Sequence, residues 1–115
     1  MSWEIEYYKT PGGQEVIKDF IDNLQESTQA KFGRQLDLLE QYGYQLSMPH
    51  AKALGDGLME LRVRSGRGSQ EVRVFYAFVL NNRIYLLHGF VKKTQATPKK
   101  DHNLARHRKT EIESL

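Results

Sequence analysis

The first part of the chain changes from a two-residue to a helical pattern of apolar positions. Residues 3–8 alternate large and acidic side chains, which is typical of a half-buried strand. Pro11-Gly12-Gly13 ends this strand, and a helix is predicted over about residues 14–24. Its apolar stripe, at spacings i, i+3, i+4 and i+7, consists of Ile17, Phe20, Ile21 and Leu24.

A second helix is predicted to follow almost at once and to form a helical hairpin with the first. Ser27 or Thr28 can cap its start, and it runs to Tyr42. Gly43 stands where a helix end favours a left-handed residue. The predicted inner face consists of Phe32, Leu36 and Leu39. Residues 44–57, with one proline and two glycines, are predicted to be a loop.

Three strands and a last helix are predicted in the second half. The strands cover residues 58–64, 71–80 and 83–91, and each is rich in branched or aromatic side chains. Residues 65–69 are predicted to form a turn, and Asn81-Asn82 suits a type I′ hairpin. Thr97 as N-cap and Pro98 as the first helical residue predict a polar helix over about residues 98–109, whose apolar anchors are Leu104 and Ala105.

The predicted order is therefore β-αα-βββ-α. An antiparallel sheet packed against a helical hairpin is an α+β arrangement, and 115 residues fit one domain, residues 1–115. A hydrophobic fraction of 39% is enough for a packed core. No apolar run is long enough to cross a bilayer, so we expect a cytoplasmic protein with no membrane partner.

The charge is distributed unevenly along the chain. Residues 1–61 carry five Lys/Arg and ten Asp/Glu, whereas residues 62–115 carry twelve Lys/Arg and four Asp/Glu. The second half is thus strongly basic, which favours a polyanionic partner, although such charges also occur on ordinary solvated surfaces. The chain has no cysteine, which excludes a disulfide framework and a thiol nucleophile.

Cationic side chains are predicted to converge at one end of the sheet. Arg62 and Arg64 share one face of their strand, and Arg73 lies on the next strand. Lys92, Lys93 and Thr94 follow the last strand. Arginine binds phosphate with two hydrogen bonds, so this face could hold a nucleic-acid backbone. For Arg64 and for Arg67 in the turn, simple solvation is an equal alternative. We favour a function for Arg73 because an arginine in so apolar a strand is costly.

The histidines and tyrosines are weaker candidates. His88 could be a general base, although a hydrogen bond from a buried strand histidine to a backbone carbonyl is more common. Tyr76 could stack on a base if its ring is exposed. His50, in a loop, and His102 and His107, on the last helix, are interpreted as surface residues. No metal-ligand spacing is present, and we expect no cofactor.

Several segments together resemble the HigB-type, phage-derived toxins of the RelE/ParE superfamily. They are residues 3–8, 16–21, 52–62, 73–76 and 86–94. The most specific pattern is Gly-Leu-x-Glu-Leu-Arg, at residues 57–62, followed in order by Arg73-Val74-Phe75-Tyr76 and by Phe90-Val91-Lys92-Lys93-Thr94. The resemblance spans about residues 3–108.

The resemblance implies a microbial-RNase-like fold and metal-independent cleavage of mRNA on the ribosome. In such toxins the RNA 2′-hydroxyl attacks the adjacent phosphate. The superfamily's basic positions match Arg62, Arg64 and Arg73, with Lys92 or Lys93 as the matching lysine. The C-terminal tyrosine of RelE-like members has no counterpart. We expect Arg73 to bind the scissile phosphate and Lys92 or Lys93 to be the acid or base, because like-charged neighbours favour a neutral lysine.

The same resemblance implies a protein partner and leaves two other activities open. The expected partner is a helix-turn-helix antitoxin of the HigA type, through which alone operator DNA would be contacted. One alternative is ParE-like, non-enzymatic inhibition of DNA gyrase on the same fold. The other is a nucleic-acid-binding module without activity, whose affinity would fall steeply with salt.

Overall fold

The computed structural model of the chain describes residues 2–64, 70–93 and 98–114. It has the predicted α+β class, in the order β-αα-ββββ-α. The elements are β1 (Glu4–Tyr7), α1 (Val16–Asp22), α2 (Glu26–Tyr42), a 3₁₀ turn (Gly43–Gln45), β2 (Ala51–Gly55), β3 (Leu58–Arg64), β4 (Glu71–Val79), β5 (Arg83–Val91) and α3 (Lys99–Glu113). None of the described helices is both long enough and apolar enough to cross a membrane.

The five strands form one mixed sheet in the order β1-β5-β4-β3-β2. Strands β2 to β5 pair antiparallel, as predicted, but β1 pairs parallel to β5, with Glu4 opposite Arg83. The prediction of a purely antiparallel sheet was therefore wrong at this edge. The helical hairpin follows β1, so no tight turn forces β1 to be antiparallel to its neighbour.

Strand β2 lies in the segment that was predicted to be a loop. It pairs with β3 through Ala51 and Leu61, and a bulge follows Ala53. The chain then turns at Asp56-Gly57, where φ is 53° and 79°. Asp-Gly is a strong signal for a tight hairpin, because both residues tolerate positive φ. That dipeptide was the sequence signal from which β2 could have been predicted.

The strand bounds of the second half agree closely with the predicted ones. Strands β3 and β5 have the predicted ends, and β4 ends one residue earlier than predicted, at Val79. Asn81 and Asn82 have φ of 67° and 57°, which confirms the left-handed pair expected between β4 and β5. The predicted turn at residues 65–69 lies outside the described residues.

The helices keep their predicted order, but their ends differ. Helix α2 begins at Glu26 with Gln25 as N-cap, so neither Ser27 nor Thr28 caps it. Helix α3 begins after Pro98, which is the N-cap rather than the first helical residue, and Thr97 lies outside the described residues. The buried apolar residues of these three helices are Ile17, Ile21, Phe32, Leu39, Ala105 and Ile112.

The helical hairpin and α3 contact opposite faces of the sheet. Gly89 lies opposite Val74, and a Cβ built at Gly89 would lie 2.6 Å from the ring of Phe20 in α1. His88 points to the other face, where its imidazole contacts Asp101 of α3. Arg73 shares this second face, since it lies two residues before Phe75, the partner of His88.

Gly43 joins the end of α2 to β1 by a close approach. Its φ of 50° and ψ of −116° lie outside the regions that residues with a Cβ favour. A Cβ at this position would overlap the indole of Trp3. The residue is therefore required to be glycine for two independent reasons, one of backbone and one of packing.

We predict that Gly43→Ala lowers the free energy of unfolding by about 2 kcal/mol or more, because strain and overpacking add. Gly33→Ala is the matched control. Gly33 is an exposed position in α2 with open space around it, so alanine there should stabilise by about 0.5–1 kcal/mol. Urea unfolding followed by circular dichroism measures both, and equal effects of the two substitutions would contradict the prediction.

Candidate functional site

A cavity of about 270 Å³ lies where α2 meets the end of β3 and the start of β4. We call it the edge pocket. It is lined by Lys31, Gln35, Pro49, His50, Arg62, Arg64, Glu71 and Arg73. Lys31 and Gln35 come from α2, and His50 immediately precedes β2. The backbone N–H of Arg62 donates to the carbonyl of His50 at 2.8 Å, which fixes this loop against β3.

Register between β3 and β4 brings the predicted arginines together. Arg62 lies directly opposite Arg73, and Arg64 lies opposite Glu71. Side chains that face each other across an antiparallel pair have Cβ atoms about 5 Å apart. The edge pocket therefore contains the guanidinium groups of Arg62, Arg64 and Arg73, as the alternation of residues along the strands indicated.

Arg73 differs from the other two arginines because it is buried and neutralised. Only 3% of its side chain is exposed, and Nη2 lies 2.8 Å from Oε1 of Glu71. Its Nε lies 3.4 Å from Oε1 of Glu60, a carboxylate that also lies 3.7 Å from Nε of Arg62. These two carboxylates offset the cost of placing an arginine in an apolar strand. The groups left accessible to a ligand are those of Arg62 and Arg64.

Glu71 is held as an anion by the cations around it. Its hydrogen bond from Arg73 holds the pKa of this carboxyl below its usual range, against the opposing effect of burial, and Lys92 and Arg64 act in the same direction. The backbone N–H of Lys92 also donates to the Glu71 carbonyl at 2.7 Å. Lys92 is thus at the rim of the edge pocket. Lys93 is exposed, neither Lys92 nor Lys93 is among the lining residues, and Thr94 and Arg67 lie outside the described residues.

Tyr76 does not have the exposed ring that base stacking requires. Its side chain is fully buried, and burial raises the pKa of its phenol. The pairing of β4 with β5 has a bulge between Phe75 and Tyr76. The ring of Tyr76 packs edge-on against Phe78. The alternation of aromatic residues in β4 was a signal for the core, as is more common for strand aromatics.

His88 is apart from the edge pocket and is engaged by α3. Its Nε2 lies 2.6 Å from Oδ1 of Asp101, so the expected hydrogen bond to a backbone carbonyl is replaced by one to a side chain. Burial lowers the pKa of His88 and outweighs the opposing effect of the Asp101 carboxylate. His88 therefore stays neutral at pH 7 and fixes the start of α3 to the sheet.

Sequence reasoning missed five residues of the edge pocket, and three of them, Lys31, Gln35 and His50, lie close together. Gln35 is only 2% exposed, and its Nε2 donates to the Arg62 carbonyl at 2.8 Å. The same nitrogen lies 3.3 Å from Nδ1 of His50. No local sequence pattern marks these residues, because their proximity to the arginines arises only when α2 packs on β3.

Several buried polar atoms of the edge pocket have no hydrogen-bond partner among the described residues. They are Gln35 Oε1, Arg62 Nε and Arg73 Nε. The two arginine nitrogens lie 3.7 Å and 3.4 Å from the Glu60 carboxylate, so Gln35 Oε1 is the atom whose missing hydrogen bond favours a polar ligand at this place. No group of three histidine or acidic side chains with the arrangement of a metal site is found in the described ranges.

Comparison with models of protein families identifies the family to which this chain belongs. The model of the phage-derived Gp49-like proteins (DUF891) matches residues 19–110, which is most of the sequence. The chain belongs to the Gp49-like family. This family is toxin-like, of the RelE/HigB type, and a toxin family implies an antitoxin partner. No curated protein matches the chain. The family match covers α2, the four strands of the second half and nearly all of α3, and so includes every residue of the edge pocket.

The ion pairs in this Gp49-like chain lead to a prediction about stability. Arg73→Met should lower the free energy of unfolding by about 3 kcal/mol, because it removes the buried cation that lies 3.4 Å from the Glu60 carboxylate and 2.8 Å from that of Glu71. Glu60→Gln in the same chain removes the charge of the Glu60 carboxylate. A double-mutant cycle by urea unfolding should give a coupling energy of about 1–2 kcal/mol. A coupling near zero would mean that the two side chains do not depend on each other.

The neutral state of His88 leads to a prediction about pH. Its pKa is lower in the folded chain than the ordinary 6.5, so the unfolded chain binds a proton first as the pH falls. The contribution of neutral His88 to the free energy of unfolding is therefore fully present above pH 6.5. It is lost as the pH falls toward the pKa of His88 in the folded chain. His88→Gln should remove this part of the pH dependence of thermal unfolding.

Proposed function

We propose that this chain is the toxin of a type II toxin–antitoxin pair and that it is a metal-independent, ribosome-dependent mRNA endoribonuclease. The observation that carries the proposal is the edge pocket. It combines accessible guanidinium groups with a buried Gln35 Oε1 that has no hydrogen-bond partner among the described residues, in a chain of a toxin-like family. The family assignment supports the toxin, and the chemistry of the pocket supports a phosphodiester as the ligand.

The edge pocket is suited to bind a nucleic-acid backbone. Lys31, Arg62 and Arg64 are exposed or half-buried, so they can exchange water for phosphate oxygens. Arginine forms two parallel hydrogen bonds to phosphate, which fixes the orientation of the group as well as its position. Arg73 can contact the phosphate only if the phosphate displaces Glu71, which would exchange one anion for another.

Cleavage by the RNA's own 2′-hydroxyl requires the protein to stabilise negative charge and to transfer protons. Negative charge that develops on the five-coordinate phosphorus must be stabilised by donors already in place, and Arg62 and Arg64 supply these. A group must also take the 2′-hydroxyl proton and another must protonate the leaving 5′-oxygen. The product on the 5′ fragment is then a 2′,3′-cyclic phosphate.

Lys92 and Lys93 are our candidates for moving the proton. Lys92 lies at the rim of the edge pocket beside Glu71, and Lys93 follows it in the exposed segment after β5. In the free protein Glu71 counterbalances Lys92 and Arg73. A phosphodiester that displaced Glu71 would change the charge around Lys92, so the acid–base group would be completed only when RNA is bound.

The antitoxin is proposed to be a helix-turn-helix protein of the HigA type, which would also contact operator DNA on behalf of the pair. An antitoxin segment with acidic side chains would match the cations of the edge pocket, since opposite potentials favour association. Antitoxin and RNA would then compete for the same positive surface of the toxin, which is one direct way to neutralise the activity.

We predict that Arg64→Ala lowers the rate of mRNA cleavage about 100-fold, because it removes a donor to the phosphate from an exposed position. The measurement uses purified protein with translating ribosomes and maps the 5′ ends of the cleaved mRNA. Arg83→Ala is the matched control. Arg83 lies on the same sheet at the opposite end of β5 and donates to the Leu80 carbonyl, so its removal should leave the rate unchanged.

Cleaved ends that need ribosomes, carry a cyclic phosphate and disappear with Arg64→Ala would support the proposal. Intact mRNA with the unaltered protein would contradict it. Inhibition of DNA supercoiling by the same sample would then favour the gyrase inhibitor, which needs no product from RNA. Salt-dependent RNA binding without either activity would favour a simple binding module.

A further inference from the structure

We infer that His50 is a substrate-contacting residue of the edge pocket and that it presents a neutral Nε2–H donor to a phosphodiester oxygen of single-stranded RNA. Gln35 is the residue that positions it. This inference rests on the proposed function for the identity of the ligand. It adds a contact that is different in kind from those of the arginines, because the donor carries no charge.

The orientation of the Gln35 amide is fixed by the backbone of β3. Its Nε2 lies 2.8 Å from the carbonyl oxygen of Arg62, and a carbonyl oxygen can only accept. The amide nitrogen rather than the amide oxygen must therefore point there. One N–H of the group is used by Arg62, and the second N–H remains available.

The second N–H of Gln35 determines the tautomer of His50. Nδ1 of His50 lies 3.3 Å from the same nitrogen. Because that nitrogen is a donor, Nδ1 must accept, and the ring proton of the neutral imidazole is on Nε2. Protonation of Nδ1 would place two donors against each other. In this arrangement Nδ1 accepts from Gln35 and Nε2 donates, so neither nitrogen is free to remove the 2′-hydroxyl proton.

The donor is located among groups that bind anions. Nε2 of His50 is on the opposite side of the ring from Gln35 and has no hydrogen-bond partner in the described part of the chain. His50 lines the edge pocket together with Lys31, Arg62 and Arg64. The backbone bond from Arg62 to the His50 carbonyl fixes the relative position of the two residues. A phosphate held by Arg62 is the ligand that such a neutral donor would complement.

A neutral donor and a cation can be distinguished by their salt dependence. Each cation that contacts phosphate releases counterions and contributes about 0.7 to the slope of log affinity against log salt for a single strand. A neutral hydrogen bond contributes affinity but no slope. Removal of His50 should therefore weaken binding equally at every salt concentration, whereas removal of Arg64 should weaken it mainly at low salt.

The test measures the dissociation constant of a fluorescent 2′-O-methyl RNA oligonucleotide by anisotropy over a series of salt concentrations. The 2′-O-methyl groups block cleavage, so binding is read alone. His50→Ala should raise the dissociation constant about 2- to 10-fold with an unchanged slope. Arg64→Ala should lower the slope by about 0.7. His107→Ala, at an exposed histidine of α3, should bind like the unaltered protein.

The tautomer is read independently from the imidazole nitrogen shifts of ¹⁵N-labelled protein, with His50→Ala used for assignment. The expected result is a bare Nδ1 and a protonated Nε2 in the unaltered chain, and a mixture of tautomers in Gln35→Met. A proton on Nδ1 in the unaltered chain would overturn the inference, and so would an unchanged dissociation constant or a lowered slope for His50→Ala.

The outcomes separate this inference from the proposed function. Ribosome-dependent cleavage together with unaffected binding by His50→Ala would overturn the role of His50 alone. Intact mRNA together with the expected salt behaviour and tautomer would overturn the ribonuclease and leave His50 as a phosphodiester contact. Failure of the unaltered protein to bind the oligonucleotide would overturn the assigned ligand of His50.

Discussion

The register between β3 and β4 is the constraint on which the edge pocket depends. Leu61 lies opposite Val74 and Val63 lies opposite Val72, and these side chains are fully buried on one face of the sheet. Because successive side chains point to opposite faces, this apolar pairing places Arg62 against Arg73 on the other face. A slip of one residue would bury the arginines and expose the valines, so the hydrophobic pairs determine the position of the cations.

The arginines of the edge pocket have two different physical roles. Arg73 is enclosed and balanced by Glu60 and Glu71, so it organises the charges around it and keeps two carboxylates in fixed positions. Arg62 and Arg64 remain partly or fully in contact with solvent, so their guanidinium groups can pair with an anionic ligand. Accessible charge thus surrounds a buried and nearly neutral centre, which lowers the cost of assembling like charges within one small volume.

Much of the fold could be predicted from the sequence, because local patterns determine it. Strands β3 and β5 follow alternation or β-rich composition, and Asn81-Asn82 marks the turn before β5. Strand β2 was missed because Ala51–Gly55 has no β-branched or aromatic side chain, and it is held by pairing with β3. The arginines of the site follow from strand alternation, but the carboxylates that neutralise Arg73, and the contact of Gln35 with His50, depend on packing and register between elements. No spacing along the chain indicates such contacts.

The parallel pairing of β1 with β5 links folding to the progress of translation. Glu4 pairs with Arg83, so the first strand leaves the ribosome long before its partner, by roughly 4–16 seconds at ordinary elongation rates. During that interval β1 has no neighbour in its own sheet, and contacts so distant in sequence form slowly even afterwards. A nascent chain that stops before residue 83 lacks the strand that joins β1 to the rest of the sheet. We therefore expect a chain interrupted before residue 83 to lack the native pairing of its first strand.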